Sequence, residues 1–292
     1  MKTADENREA AFAAAAMIVP AVEAGVGRNW LPVLIVGLAS ELLYCIQREP
    51  KGELPGWMSM LRVATMLFLA SWLMGRIAEP WPGRAAEYVV PLAVLVLAAA
   101  SVRMGSEEAA AAAGVLRYGI YGVLALLLVA GVKEVSWQEL RPKAELPDGA
   151  LAAILLLPLM SSHKRGSCNA LPLAAILGSI VAAGAYNLYE YSRTLSINGA
   201  AERMESIAAC AITAGYFGML SWLLDGCAKE RKDTGSIRKR NVLLMAVAVY
   251  GLYILNIAHR PWIYVLMELL LWGILPPIVT MKRNLKKYEK SA

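Results

Sequence analysis

The stretch Pro147-Asp-Gly149-Ala-Leu-Ala152-Ala153-Ile-Leu-Leu-Leu-Pro158-Leu-Met160-Ser-Ser-His163-Lys-Arg165 decides how the rest of the chain is read. A helix rises ~1.5 Å per residue, and a hydrocarbon core of ~30 Å takes ~20 apolar residues to cross. The apolar run here is well short of that, and Pro158 interrupts it. It nevertheless lies in the middle of a series of apolar segments, most of which are long enough to span. Two readings stay open: a short span whose first turn begins in the polar loop around Leu146, or a broken span of the kind that holds a ligand in transporters.

Working outward, the composition places the whole chain in a bilayer. It is 58% hydrophobic and 18% charged, with a mean hydropathy of +0.49; a soluble domain carries ~25% charged residues. No run of ~10-residue alternating segments suggests a β-barrel. Backbone groups in lipid must be satisfied within the segment, so the expected fold is all-α integral membrane.

Ten apolar segments can be marked: from Ala10 to Val19, Asn29 to Ile46, Trp57 to Leu73, Tyr88 to Val102, Ala109 to Val132, the short sixth, Leu171 to Leu188, Met204 to Leu224, Val242 to Ile257, and Trp262 to Met281. Residues 1–8 form a polar cytoplasmic tail, 9–281 the transmembrane domain, and 282–292 a basic cytoplasmic tail. With ten crossings and both termini inside, 18 of the 29 Lys and Arg fall on inner flanks and 9 in outer loops, Arg62 and Arg117 lying within spans. That bias fits the positive-inside rule and supports counting the sixth segment as a crossing. The expected location is the cytoplasmic membrane or the inner membrane of a spore.

The two densest basic runs, Lys229–Arg240 and Lys282–Lys290, directly follow apolar segments and read as anchors to the lipid bilayer. No aromatic residues interleave them as in a nucleic-acid groove, so no nucleic-acid partner is expected. Cys45, Cys168, Cys210 and Cys227 form no Cys-x-x-Cys pair, and His163 and His259 are the two histidines. No metal site and no cofactor are expected. Neither a Walker loop nor a nucleophile–base pair is readable, and no enzyme is expected.

Several motifs occur in a particular order. These are Leu140-Arg-Pro142, Leu156-Leu-Pro158-Leu, His163-Lys-Arg165, Ala201-Glu-Arg-Met-Glu205-Ser-Ile-Ala, and Ile274-Leu-Pro-Pro277 followed by Lys282-Arg-Asn-Leu-Lys-Lys287. In order and spacing, over roughly residues 10–290, they resemble the spore germination permease family. That family supplies the B subunit of GerA-type germinant receptors, within the amino acid–polyamine–organocation superfamily. The resemblance implies about ten transmembrane helices in a LeuT-like five-plus-five inverted repeat. It also implies partners in the A-type and C-type receptor subunits, and a small-molecule ligand, an amino acid by class. The chain is shorter than family members usually are and departs from them in two spans. Ala13-Ala-Ala-Ala16-Met-Ile-Val-Pro20 has no glycine before the proline where members carry a glycine-rich break, and Gly149 starts the sixth segment with nothing like the family's Gly/Phe-rich unwound centre before it.

If the two broken spans hold a ligand, Ala16, Pro20 and Glu23 line it from the first and Gly149, Ala152 and Ala153 from the sixth. Glu268 within the tenth span costs ~2.5–3.5 kcal/mol unless paired or protonated. It is a candidate proton or ion site, or a structural partner for Arg62 or Arg117. Three functions follow: a germinant-sensing receptor subunit, a proton-coupled amino acid transporter, or a ligand-blind scaffold subunit.

Overall fold

A computed structural model describes residues 12, 15–20, 55–81, 83–131, 200–232, 234–255, 263, 266–267, 269–276, 278–279 and 281. Among these residues the structure is all-helical. It contains α1 (Gly56–Ala78), α2 (Arg84–Met104), α3 (Ser106–Gly131), α4 (Ala200–Glu230), α5 (Gly235–Ile254) and a π-helical turn, Leu269–Ile274. Residues 15–20 are helical as well.

The sequence explains the boundaries of the first helices. Pro55 precedes α1, and its carbonyl accepts from the N–H groups of Met58 and Ser59, closing the first turn. Pro80 and Pro82 follow α1 and lack the N–H a continuing helix needs. Gly83 enters α2 at φ +102°, where a side chain would be strained. A single residue, Gly105, separates α2 from α3.

Side-chain contacts fix the direction of every helix relative to α4, which packs against the other four. Ser59 and Arg62 at the start of α1 meet Glu230 at the end of α4. At the other end Trp81, just past α1, donates to Thr213 at 3.0 Å. Ser106 at the start of α3 meets Asp225 late in α4. Ser101 late in α2 lies 3.4 Å from Ser221, and Arg238 early in α5 meets Asp225. Hence α1, α3 and α5 run one way, and α2 and α4 run the other.

The core is large and apolar. Tyr216, Met219, Leu220, Leu223 and Leu224 of α4 have no exposed surface, and neither do Leu69, Leu73 and Met74 of α1. The outward faces are apolar too. Helix α2 exposes Val89, Leu92, Val96 and Leu97, and α5 exposes Leu243, Leu244 and Val247. A surface helix in water carries polar residues on its outer face. Two helices, Gly56–Ala78 and Arg84–Met104, are long and apolar enough to cross a bilayer.

Several expected boundaries need correction. The eighth segment is a helix from Ala200 to Glu230 rather than from Met204 to Leu224. Charged residues seemed to end it at Asp225, but Asp225 and Glu230 are paired and the helix runs on. The ninth starts at Gly235 rather than Val242, because its basic first turns remain helical with Lys239 and Arg240 exposed. The tenth segment, marked from Trp262 to Met281, holds a π turn at Leu269–Ile274. The described residues account for the third, fourth, fifth, eighth and ninth segments and for parts of the first and tenth. The second, sixth and seventh, with the decisive Pro147–Arg165 stretch, lie outside the described residues.

Candidate functional site

Three places combine burial with polar or conformational features that a plain packed helix lacks. The first is the seat of residues 15–20. Phe12 and residues 15–20 are buried, and Ala16 has no exposed surface. They pack on the face of α4 that carries Gly215 and Gly218. A Cβ added at Gly215 would overlap Val19 Cγ2 and lie 2.6 Å from Val19 Cβ. At Gly218 it would lie 3.7 Å from the Ala15 carbonyl oxygen and 3.8 Å from Ala16 Cα. The Gly-x-x-Gly spacing puts both glycines on one helix face and lets the two backbones approach closely. Pro20 is itself helical and buried. Of the six residues expected to line a ligand, Ala16 and Pro20 are thus in the bundle interior. Glu23, Gly149, Ala152 and Ala153 lie outside the described residues.

The second place is Arg62, 4% exposed in the first turns of α1. Its Nε and Nη2 donate to the Leu271 carbonyl at 3.2 and 2.8 Å. Its Nη1 donates to Glu230 Oε1 at 2.8 Å. The guanidinium carbon sits 4.9 Å from the Trp272 ring centroid, a cation–π geometry.

Local sequence explains why an arginine is needed there. A π-type bond to the Leu271 carbonyl would come from residue 276, and Pro276 has no N–H. A buried carbonyl without a donor costs about 1–3 kcal/mol, and a two-pronged guanidinium removes that cost while neutralising Glu230. Glu268, an expected partner of Arg62, lies outside the described residues; the partners observed are Glu230 and the π turn.

The third place is Asp225, 2% exposed in α4. Its Oδ1 accepts from Ser106 Oγ at 2.8 Å and from Arg238 Nη2. Its Oδ2 lies 3.1 Å from Lys229 Nζ, one helical turn on. Arg238 Nη2 also donates to Ser106 Oγ at 2.9 Å. One carboxylate therefore ties the starts of α3 and α5 to the end of α4. Neither Asp225 nor Glu230 stands out in the sequence, because each ends an apolar segment where a charged residue reads as solvated. The usable signal for Asp225 is Lys229 at i+4 together with the two cations that follow in the next helix.

Arg117, the other span arginine, is partly buried in α3. Its Nη2 donates to the Tyr118 hydroxyl at 3.2 Å, and its guanidinium stacks 5.0 Å from that ring. Its Nε is buried with no hydrogen-bond partner among the described residues. The structure does not bring Arg117 to Arg62; they sit in separate surroundings on α3 and α1.

The two buried ionic nodes share one end of the bundle, with Arg103, Arg231, Lys232, Lys239 and Arg240 at the same end. The opposite end carries an aromatic cluster, together with the Arg76–Glu79 ion pair at 2.6 Å. There the Tyr253 hydroxyl donates to the Glu87 carbonyl at 2.9 Å. That carbonyl is the one left without an in-helix donor by Pro91, four residues on and buried inside α2. Tyr88 and Tyr250 lie against the Tyr253 ring, with centroids 6.4 and 6.2 Å away.

Comparison with protein-family models, with characterised proteins and with solved structures finds no match in any of the three.

Proposed function

We propose that this chain is a membrane-embedded subunit of permease architecture that binds a small organic molecule, an amino acid by class, and passes the resulting change of shape to neighbouring subunits. One observation carries the reading: residues 15–20 are helical and buried, seated on the glycine face of α4, with Pro20 among them. Proline has no N–H to give the carbonyl four residues back, that of Ala16, and a backbone group freed at membrane depth is tolerated where it lines a cavity. The motif order that resembles the spore germination permeases turns this into a receptor reading, with A-type and C-type subunits as partners.

The directions of the helices support the same architecture. Gly131 at the finish of α3 and Ala200 at the start of α4 both lie at the aromatic end. A sixth and a seventh crossing, an even number, meet that condition within a ten-span, five-plus-five repeat. The apolar outward faces of α2 and α5 suit lipid, and the basic end suits the cytoplasmic side.

The test is thermal stability of the detergent-purified chain against free amino acids, nucleosides and sugars. A ligand of the folded state at ~100 times its dissociation constant stabilises by ~2.7 kcal/mol. A saturable shift with one compound is expected. No shift from any compound, with a cooperative melt, overturns the sensing reading and leaves the scaffold. A specific feature favours that second reading: Ala16 has no exposed surface and packs on Gly218.

A further inference from the structure

The outward face shared by α2 and α5 has a polarity that the bundle core does not require. Helices α2 and α5 pack side by side and antiparallel, pinned at one end by Tyr253 on Glu87 and Tyr88. Moving away from that pin, Arg103 lies fifteen residues beyond Tyr88, while Lys239 and Arg240 lie fourteen and thirteen residues before Tyr253. At ~1.5 Å per residue all three come level, about 20–22 Å from the tyrosines.

Between these ends the exposed residues are apolar and also level. Val96 and Leu97 on α2 are 56% and 60% exposed; Leu243, Leu244 and Val247 on α5 are 49%, 59% and 64% exposed. Arg103, Lys239 and Arg240 are exposed as well, and among the described residues none has an ion pair or hydrogen bond. The neighbouring Arg238, by contrast, is spent on Asp225.

Resting on the membrane reading above, we propose that this face holds an anionic phospholipid. The phosphate lies at Arg103, Lys239 and Arg240, and an acyl chain lies along Val96, Leu97, Leu243, Leu244 and Val247. The argument is charge complementarity joined to an apolar track of acyl-chain length. Three cations at headgroup level, without partners among the described residues, attract phosphate, and the exposed apolar residues below them take the chain. A soluble phosphate would satisfy the cations but leave the apolar track in water. A zwitterionic lipid would cover the track, but its own choline would offset the cations.

The test uses the full chain in nanodiscs of equal phosphatidylglycerol and phosphatidylcholine, and in discs of phosphatidylcholine alone. Lipid retained after mild detergent release is read by native mass spectrometry. The wild-type chain should retain phosphatidylglycerol in preference. R103Q/K239Q/R240Q should lose that preference, by roughly five-fold per cation and on the order of 100-fold for the three. R84Q, a charge removed at the aromatic end, should keep it. A chain that enters both kinds of disc with no preference, or a triple variant as selective as wild type, overturns the lipid site and leaves the membrane reading standing. Displacement of the retained lipid by millimolar inorganic phosphate also overturns the site. A chain that enters neither kind of disc overturns both readings.

Discussion

Replacing Gly215 by alanine tests whether the first helical segment sits where the bundle places it. Alone, a helix interior gains about 0.5–1 kcal/mol from Gly→Ala, because glycine loses more backbone freedom on ordering. At Gly215 the new methyl would lie 2.6 Å from Val19 Cβ and overlap Val19 Cγ2. The Cβ is tied to its backbone, so rotation of Val19 does not relieve the clash; the segment itself must move by about 1 Å. Overpacking of this kind costs about 1–3 kcal/mol, which outweighs the propensity gain.

Gly119 of α3 is the control, since a Cβ there meets nothing within 4 Å. Gly119→Ala should therefore raise the melting temperature and Gly215→Ala should lower it, both measured in one detergent with the same heating rate. Combining Gly215→Ala with Val19→Gly should recover much of the loss, giving a non-additive cycle of the kind contacting residues show. If Gly215→Ala stabilises the chain as Gly119→Ala does, residues 15–20 are not seated on α4. The interior position that carries the functional proposal then fails with it.

Other perturbations probe the polar nodes. Arg62→Met should destabilise by about 3–5 kcal/mol, since it leaves Glu230 and the Leu271 carbonyl without a buried partner. Arg62→Lys keeps the charge but not the fork, and should fall between wild type and Met; equal melting of Met and wild type would refute the node. Asp225→Asn should cost about 2–4 kcal/mol, because Ser106 keeps a partner while Arg238 loses its counter-charge. Its melt should depend less on salt than that of wild type if the node is ionic. Tyr253→Phe should cost about 1 kcal/mol in the wild-type background. It should cost much less in Pro91→Ala, where residue 91 regains the N–H that serves the Glu87 carbonyl; equal costs in both backgrounds would sink that account.

The apolar segments were legible because lipid and core both demand long runs of the same residue types. For that reason five helices fall where the sequence puts them. Their ends were less legible. Asp225, Glu230 and Lys229 look like residues that stop an apolar run, and only their partners on α1, α3 and α5 let α4 continue through them. Arg62 was visible as a charge inside a span, but not its partner: Glu230 lies 168 positions away, and its own neighbours in sequence say nothing of α1. A better signal was available in the prolines. Pro91 frees the Glu87 carbonyl and Pro276 the Leu271 carbonyl, and each freed carbonyl meets a donor from another helix, Tyr253 and Arg62 respectively. Counting the carbonyls that prolines orphan, and then seeking donors for them, would have pointed to both.

The unequal fastening of the two ends predicts which end separates more readily. At the basic end Arg62 and Asp225, both buried, join α1, α3, α4, α5 and the π turn through charge-assisted bonds to half-buried partners and to the Leu271 carbonyl. Such bonds are about twice as strong as neutral ones, and severing a buried pair costs about 3–5 kcal/mol. Among the described residues, the hydrogen bonds between elements at the aromatic end include Trp81 to Thr213 and Tyr253 to the Glu87 carbonyl, each neutral and worth about 1 kcal/mol. Separation of the helices at the aromatic end therefore costs several kcal/mol less, and the basic end serves as the pivot. Amide hydrogen exchange should show it: amides around residues 79–90 and 250–255 open faster than those around residues 225–240. Arg62→Met should speed exchange around residue 230 without changing it near Trp81. Faster exchange at the basic end of the unaltered chain would place the pivot at the aromatic end instead, and would mean that the buried ion pairs are made and broken during opening rather than held through it.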